Sequence, residues 1–260
     1  MYTVLLSRGN FGEEVGSLPA ENPPAPGQEL IWLRPERSRR EPRPVLSRAE
    51  ITRAAIELAD REGLQGVSMR RVAGQLGAHA TSLYWYVDSK DDLFELMLDA
   101  IMGEIELPGQ SDGDWRAALR SVTRSSHAVL SRHHWAVLLA IQPGLGPNTQ
   151  RYAEYILGVL HGLGLDVTLV ADLAALLNNY LFGFAHRETA WEQARLRSGL
   201  SEQQWAARLR RYLDQVTAGD PAQGRLAASR MDLHTERSFE FGLERLLDGI
   251  EVFLSRQRPG

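Results

Sequence analysis

From Ser47 onward, apolar residues recur at spacings of three and four along almost the whole chain, and no stretch of useful length alternates with a period of two. This pattern limits the fold more than any other feature. Recurrence at i, i+3 and i+4 gathers apolar groups on one side of a helix, whereas a half-buried strand needs strict alternation. The sequence therefore predicts an all-α fold: an N-terminal three-helix module followed by a larger helical bundle. Ser47 and Glu50 have the spacing of a capping box, and Ile51, Ala54, Ala55, Leu58 and Ala59 form the stripe of a first helix that runs to Glu62 and stops at Gly63. Ser68 caps a short second helix through Val72 and Leu76, ended by Gly77, and a third covers His79 to Tyr86. Ser89 and Asp92 open a fourth, with the stripe Leu93, Leu96, Met97, Ala100 and Ile101, closed by Gly103 and Pro108. Further helices are expected over Asp114–Arg132, Trp135–Ile141, Asn148–His161, Asp166–Arg197, Ser201–Gln215 and Thr235–Arg256, with a mobile loop in the run AGDPAQGRLAASR after Thr217.

Composition narrows the function. A chain of 260 residues can form a small module plus a larger body with an ample core. The absence of cysteine excludes disulfides, thiolate metal sites and a cysteine nucleophile. A formal net charge of −4 argues against a surface coated in positive charge and leaves room for a local basic patch. The opening run MYTVLLSRGNF is too short for a secretory apolar region, and the apolar stretch Val167–Ala185 contains Asp172, Asn178 and Asn179, which suits a buried helix better than a membrane span. The expectation is a cytoplasmic protein without a membrane partner. No metalloprotease histidine motif, nucleophile elbow or phosphate-binding glycine loop is present, and the adjacent His133 and His134 point to different faces of a helix. Neither an enzyme nor a cofactor is expected.

Residues 1–46 read as a flexible Pro/Arg-rich arm. Pro19, Pro23, Pro24, Pro26, Pro35, Pro42 and Pro44 break any period, and the later part holds Arg34, Arg37, Arg39, Arg40, Arg43 and Arg48 against Glu36 and Glu41. It is either a solvated tail or an arm that enters a DNA groove, with Arg40 and Arg43 as the candidate contacts.

The segment 47–103 carries the chemistry. Two short helices joined by a glycine turn have the layout of a helix-turn-helix, whose second helix enters the major groove. Leu58, Val67, Val72, Leu76 and Leu83 would fill its small core, leaving His79, Thr81, Ser82, Tyr84 and Tyr86 toward the groove. A tyrosine can lay its ring against sugar and thymine methyl groups while its hydroxyl bonds phosphate. Lys90, the only lysine in the sequence, would meet a phosphate at a helix N-terminus.

The run GLQGVSMRRVAGQLGAHATSLYWYVDSKDDLFELML closely resembles the DNA-binding domain of the tetracycline-repressor-like (TetR) family of bacterial transcription regulators, above all in its LG…LYWYV…K core. DWRAALRSV, PGLGPN and FEFGLERLL more weakly resemble the tetracycline-repressor type of C-terminal domain. The resemblance implies that Arg70, Thr81, Ser82, Tyr84, Trp85, Tyr86 and Lys90 contact operator DNA. His79-Ala80 departs from the base-reading groups often found in relatives, so no operator sequence carries over.

The resemblance also implies that residues 109–260 form an effector-binding and dimerisation domain, with His127, Trp135, Tyr155, Asn178, Asn179, Phe182 and His186 on helices that surround a small-molecule cavity. Independently, the helix VTLVADLAALLNNYLFGFA is apolar nearly all the way round, so it must be covered on two sides. A last-helix stripe of Phe239, Leu243, Leu246, Leu247, Ile250, Phe253 and Leu254 is the expected partner surface in a four-helix homodimer interface. Such a dimer would set two reading heads ~34 Å apart on successive major grooves. The overall expectation is a ligand-responsive repressor whose helix from Ser89 to Met102 relays effector binding to the heads. The alternatives are an all-α small-molecule binder or interaction module that does not bind an operator and, last, an enzyme.

Overall fold

The computed structural model describes residues 30–36, 46–109, 114–139, 144–217 and 235–257. Among these residues every regular element is helical. The first helix, α1 (Arg48–Glu62), starts at a reciprocal cap: the Ser47 hydroxyl accepts from the Glu50 amide, and the Glu50 carboxylate accepts from the Ser47 amide at 2.9 Å. Ser68 caps α2 (Met69–Gln75) and Ser89 caps α4 (Lys90–Met102) in the same one-sided way, each hydroxyl accepting an amide three residues on. Between α2 and the short α3 (Ala80–Leu83), Gly77 takes a φ of 63°, a left-handed conformation that glycine adopts without a Cβ clash.

These four helices enclose one small core. Ile51, Ala55, Leu58, Val67, Val72, Leu83, Leu93 and Met97 are buried in it, and Leu76 is partly buried at its edge. Each fully buried leucine or valine contributes roughly 1.5–3 kcal/mol, enough for a module of this size to hold its shape. Polar ties fix α2 against α1: Gln75 donates to Glu57 at 2.6 Å, and Arg71 grips Glu62 through both guanidinium nitrogens at 2.6 Å.

The body comprises α5 (Trp115–Arg132), α6 (Ala136–Leu139), α7 (Pro147–His161), α8 (Val167–Ser198), α9 (Glu202–Val216) and α10 (Glu236–Gln257). Helix α8 is central and packs on α5, α6, α7, α9 and α10. By length and composition alone it could cross a membrane, yet Val170, Ala174, Leu177, Leu181 and Phe184 form one side buried within the body. Along the outer seam, Arg116, Arg120 and Arg124 of α5 sit one helical turn apart and face Glu240, Glu244 and Asp248 of α10, at the same spacing. Helix α4 joins head to body. It packs on α1 on one side and on α5, α6 and α7 on the other, so Leu98, Asp99 and Met102 are buried in addition to the expected stripe.

Two expectations are corrected here. The α10 stripe does not await a partner: Phe239, Leu243, Leu247 and Ile250 are buried against the chain's own body, because α5 and α8 offer α10 an apolar groove. The opposite side of α10, with Phe241, Arg245, Gly249 and Val252, is the exposed one. Residues 30–36, expected to belong to a flexible arm, instead form a 3-10 turn at Ile31–Leu33 that docks on α4, with Ile31 buried in the head core. Apolar burial of Ile31 and ion pairs from Arg34 hold it there.

Candidate nucleic-acid interface

The candidate reading edge follows from the phase of α3 and the turn after it. Leu83, Tyr86 and Val87 stand at i, i+3 and i+4, and all three point into the core, Tyr86 being only 8% exposed. Tyr84 and Trp85 lie between them and are turned out, 49% and 51% exposed. The expectation that Tyr86 faces the groove is thus corrected: the helix ends at Leu83, and the Tyr86 amide donates to the Leu83 carbonyl at 2.9 Å in a tighter turn that carries the ring inward. Thr81 is exposed, Ser82 is partly buried, and His79 at the α3 N-cap is exposed.

Arg70 and Lys90 flank this edge in the sequence. Arg70 is exposed in the first turn of α2, while its neighbour Arg71 is tied to Glu62 and to the Gly66 carbonyl. Lys90 is the first residue of α4, exposed, with its ammonium 5.0 Å from the Phe94 ring centroid. First-turn amides of an α-helix lack intrahelical acceptors, so cation and helix end both favour an anion there. Arg40 and Arg43 lie outside the described residues. Arg34 and Arg48, which the sequence reading grouped with the basic arm, have protein partners. Arg34 pairs with Asp88 and Asp92, and Arg48 donates to the carbonyls of Arg34 at 2.9 Å and Tyr86 at 3.1 Å.

The candidate effector residues do not form one lining. His127 is stacked on Phe239 at 3.9 Å between ring centroids and shares a hydrogen bond with Glu188 at 2.8 Å. Tyr155 of α7 is partly buried. Its hydroxyl is sealed from solvent without a hydrogen-bond partner among the described residues, and burial holds its pKa above the ordinary value. Asn178 accepts from the Tyr152 hydroxyl at 3.1 Å, and Phe182 is partly buried against the core. Asn179 and His186 are exposed, contrary to expectation. Each stands two residues past a buried position, Leu177 or Phe184, which carries it about 200° round the helix. Trp135 is buried but belongs to the junction with the head, since its indole donates to Asp60 at 2.6 Å.

That junction has two polar joints the sequence reading did not anticipate. In the first, Asp60 on α1 accepts from Trp135 and shares a hydrogen bond with His133 Nδ1 at 2.7 Å, while His133 Nε2 lies 3.3 Å from Glu104 just beyond α4. In the second, Asp99 of α4 accepts from the Thr149 amide at 2.9 Å, the Thr149 hydroxyl at 3.2 Å and the Asn148 amide at 3.0 Å. Gly146 at the α7 N-cap has no side chain to cap that helix, so a carboxylate from α4 does so instead. A Cβ on Gly146 would come within 2.2 Å of Asp99.

Known proteins supply the frame for this geometry. Residues 51–97 match the family of bacterial regulatory proteins, tetR family, and residues 107–254 match the tetracyclin repressor-like C-terminal domain. The chain belongs to the TetR family. It is similar to the HTH-type transcriptional repressor DrrR1 of Streptomyces coeruleorubidus, at 35% identity over 235 residues, covering 88% of this chain and 86% of that one. An HTH-type transcriptional regulator of Saccharopolyspora erythraea is 40% identical over 182 residues, covering 68% of this chain and 76% of its own. Among solved structures, apo ActR of Streptomyces coelicolor superposes with a TM-score of 0.69 at 27% identity, covering 82% of this chain and 98% of that chain. ActR in complex with actinorhodin gives 0.66 at 30% identity, covering 78% and 94%. As a TetR-family regulator, the chain has a helix-turn-helix head followed by a helical C-terminal domain, and its relatives are regulators of transcription.

Proposed function

We propose that this TetR-family protein is a homodimeric repressor that grips operator DNA with Arg70, Thr81, Ser82, Tyr84, Trp85 and Lys90 and lets go when a small, largely hydrophobic effector enters its body. One observation carries the DNA-binding assignment. Tyr84 and Trp85 are turned outward beside exposed Thr81 while every apolar neighbour in the same run is buried. Leaving about half of each of two large aromatic side chains exposed forgoes burial that a folded module would otherwise use, and contact with sugar and base edges recovers it on the duplex. In this assignment residues 47–103 are the head, residues 109–260 the effector and dimer body, residues 1–46 an arm anchored at 30–36, and the working compartment is the cytoplasm.

A homodimer accounts for the exposed sides of α8 and α10. Leu176, Asn179, Gly183 and His186 recur at three- and four-residue spacing on α8, as do Phe241, Arg245, Gly249 and Val252 on α10. Both stripes hold a glycine with open space before it, which permits close approach of a partner helix. The effector assignment leans on the ActR complex with actinorhodin and on the unpartnered Tyr155 hydroxyl, which a ligand acceptor would satisfy. Asn178 is bonded to Tyr152 and Asn179 is exposed, so neither amide calls for a ligand. Asp99 supplies a route from that region to the heads: a shift of α7 drags the carboxylate that caps it, and with it α4.

The test is a binding titration of the full chain against duplex DNA from the region flanking its own gene, repeated at rising salt. Repressor function requires protection of a discrete site, with affinity falling steeply as counterions return to the phosphates. A protein that forms a stable dimer yet protects no site would favour the small-molecule binder that does not act on DNA.

A further inference from the structure

The N-terminal edge of α4 is poorly suited by itself to meet DNA. In the run Asp88-Ser89-Lys90-Asp91-Asp92, carboxylates outnumber the single ammonium three to one. Duplex DNA carries one negative charge per ~1.7 Å of axis, so these carboxylates oppose the contact that Lys90 and the helix end favour. The structure contains a correction for this, and it comes from outside the helix-turn-helix. Arg34 reaches across from the 3-10 turn, pairs with Asp88 and brings Nη2 to 2.7 Å from Asp92 Oδ1. Its side chain is only 12% exposed. Burial works against the guanidinium charge, and the two carboxylates overcome that and hold its pKa above the ordinary arginine value.

The contact is held by the strap around it, although Arg34 Nε and Nη2 are buried without a hydrogen bond among the described residues. Ile31 is inserted in the head core at 1% exposure, and the Trp32 indole donates to Glu95, on the next turn of α4, at 3.1 Å. Arg48 Nη1 holds the Arg34 carbonyl at 2.9 Å while Arg48 Nε holds the Tyr86 carbonyl, so the strap, the start of α1 and the end of the aromatic turn share one arginine. A guanidinium fixed in this way cancels charge at low entropic cost.

We propose that Arg34 is a positioning residue for operator binding. By pairing with both Asp88 and Asp92 and offsetting one of their two charges, it lessens the repulsion at the entrance of α4, so that Lys90 and the first-turn amides can receive phosphate. The proposal rests on the reading above that this edge faces DNA. It gives the segment ahead of α1 a task distinct from any groove contact made by the arm, because Arg34 acts through the carboxylates of Asp88 and Asp92.

The experiment uses the full chain and the duplex that the wild-type protein footprints. Arg34→Gln should weaken binding roughly tenfold or more at low salt, because each head of a dimer loses the one positive charge set against Asp88 and Asp92 beside the phosphates. Adding Asp88→Asn and Asp92→Asn to that variant should restore affinity to the wild-type level or above, since the triple variant is one charge more positive per head than wild type, with dimer mass unchanged. The Asp88→Asn/Asp92→Asn protein with Arg34 intact should bind at least as tightly as wild type, which keeps the test valid should Arg34→Gln fold poorly. Unchanged affinity in Arg34→Gln, failure of the two amides to restore it, or weaker binding by the protein with Arg34 intact would each overturn the proposal. Failure of the wild-type dimer to footprint any duplex would instead overturn the DNA-binding reading on which it stands.

Discussion

The Trp135 indole donates to Asp60 at 2.6 Å, and this single bond ties the body of the protein to the last turn of the first helix of its reading head. His133, buried beside Trp135, takes the same carboxylate oxygen at 2.7 Å, so Asp60 is held by two groups from one short segment. Head and body therefore meet through a charge-assisted joint as well as through the apolar packing of α4. A joint of that kind resists rotation of the head more than apolar contacts alone, which slide.

Asp60→Ala removes the acceptor for both donors and leaves His133 and Trp135 buried without it. Loss of two such bonds is expected to cost about 1–3 kcal/mol, read as a lower midpoint in denaturant at unchanged slope. Operator affinity without effector should fall less than stability does, because no group on the reading edge is altered.

Gly146→Ala tests the cap that α4 supplies to α7. The added Cβ would stand 2.2 Å from Asp99, so either the carboxylate leaves Thr149 or α7 moves away from α4. Overpacking of this kind costs typically about 1–3 kcal/mol. Thermal melting checks the loss; because alanine at 99 keeps a Cβ that would lie 2.7 Å from the new one, the double variant with Asp99→Ala should melt below Asp99→Ala alone.

The α5–α10 seam makes an acid-sensitivity prediction. Hydrogen bonds from Arg120, joined by those from Arg116, hold the Glu244 carboxyl down at about 2, below its ordinary 4.5. A depressed carboxylate stabilises the fold fully above its unfolded pKa and loses that contribution as pH falls through its folded pKa. The benefit should be complete above about pH 4.5 and decline toward pH 2. Glu244→Gln should lower stability at pH 7 by on the order of 1 kcal/mol, a figure kept small because the pair is partly solvated and screened. The gap between variant and wild-type melting curves should close as the pH is lowered across that window.

Much of this was legible in the sequence, and the residues show why. The caps at Ser47, Ser68 and Ser89, the glycine turn at Gly77 and the apolar stripes are local signals, each decided by neighbours within a turn of helix, and each was read correctly. Tyr86 is legible too, since its spacing from Leu83 and Val87 assigns it to their side, whatever its hydroxyl suggests. Asn179 and His186 fail the same phase test against Leu177 and Phe184. Asp60, Asp99 and Arg34 are of another kind. Nothing local distinguishes them from surface charges, because their partners are supplied by segments far along the chain: His133 and Trp135, Thr149, and Asp88 with Asp92. The α10 stripe is legible as an apolar face, yet a stripe shows that a face is covered and not what covers it: α5 and α8 pack on α10 and bury Phe239, Leu243, Leu247 and Ile250.

The measurement that bears most directly on the central assignment is the operator affinity of Tyr84→Ala and Lys90→Ala beside wild type, with dimer mass and melting midpoint recorded on the same samples. Both side chains are exposed in the chain, so their removal should leave mass and midpoint unchanged, the latter within about 0.5 kcal/mol of stability, while affinity falls by at least tenfold. Undiminished affinity in both variants would contradict the account, for the outward aromatic edge would then have no part in holding DNA.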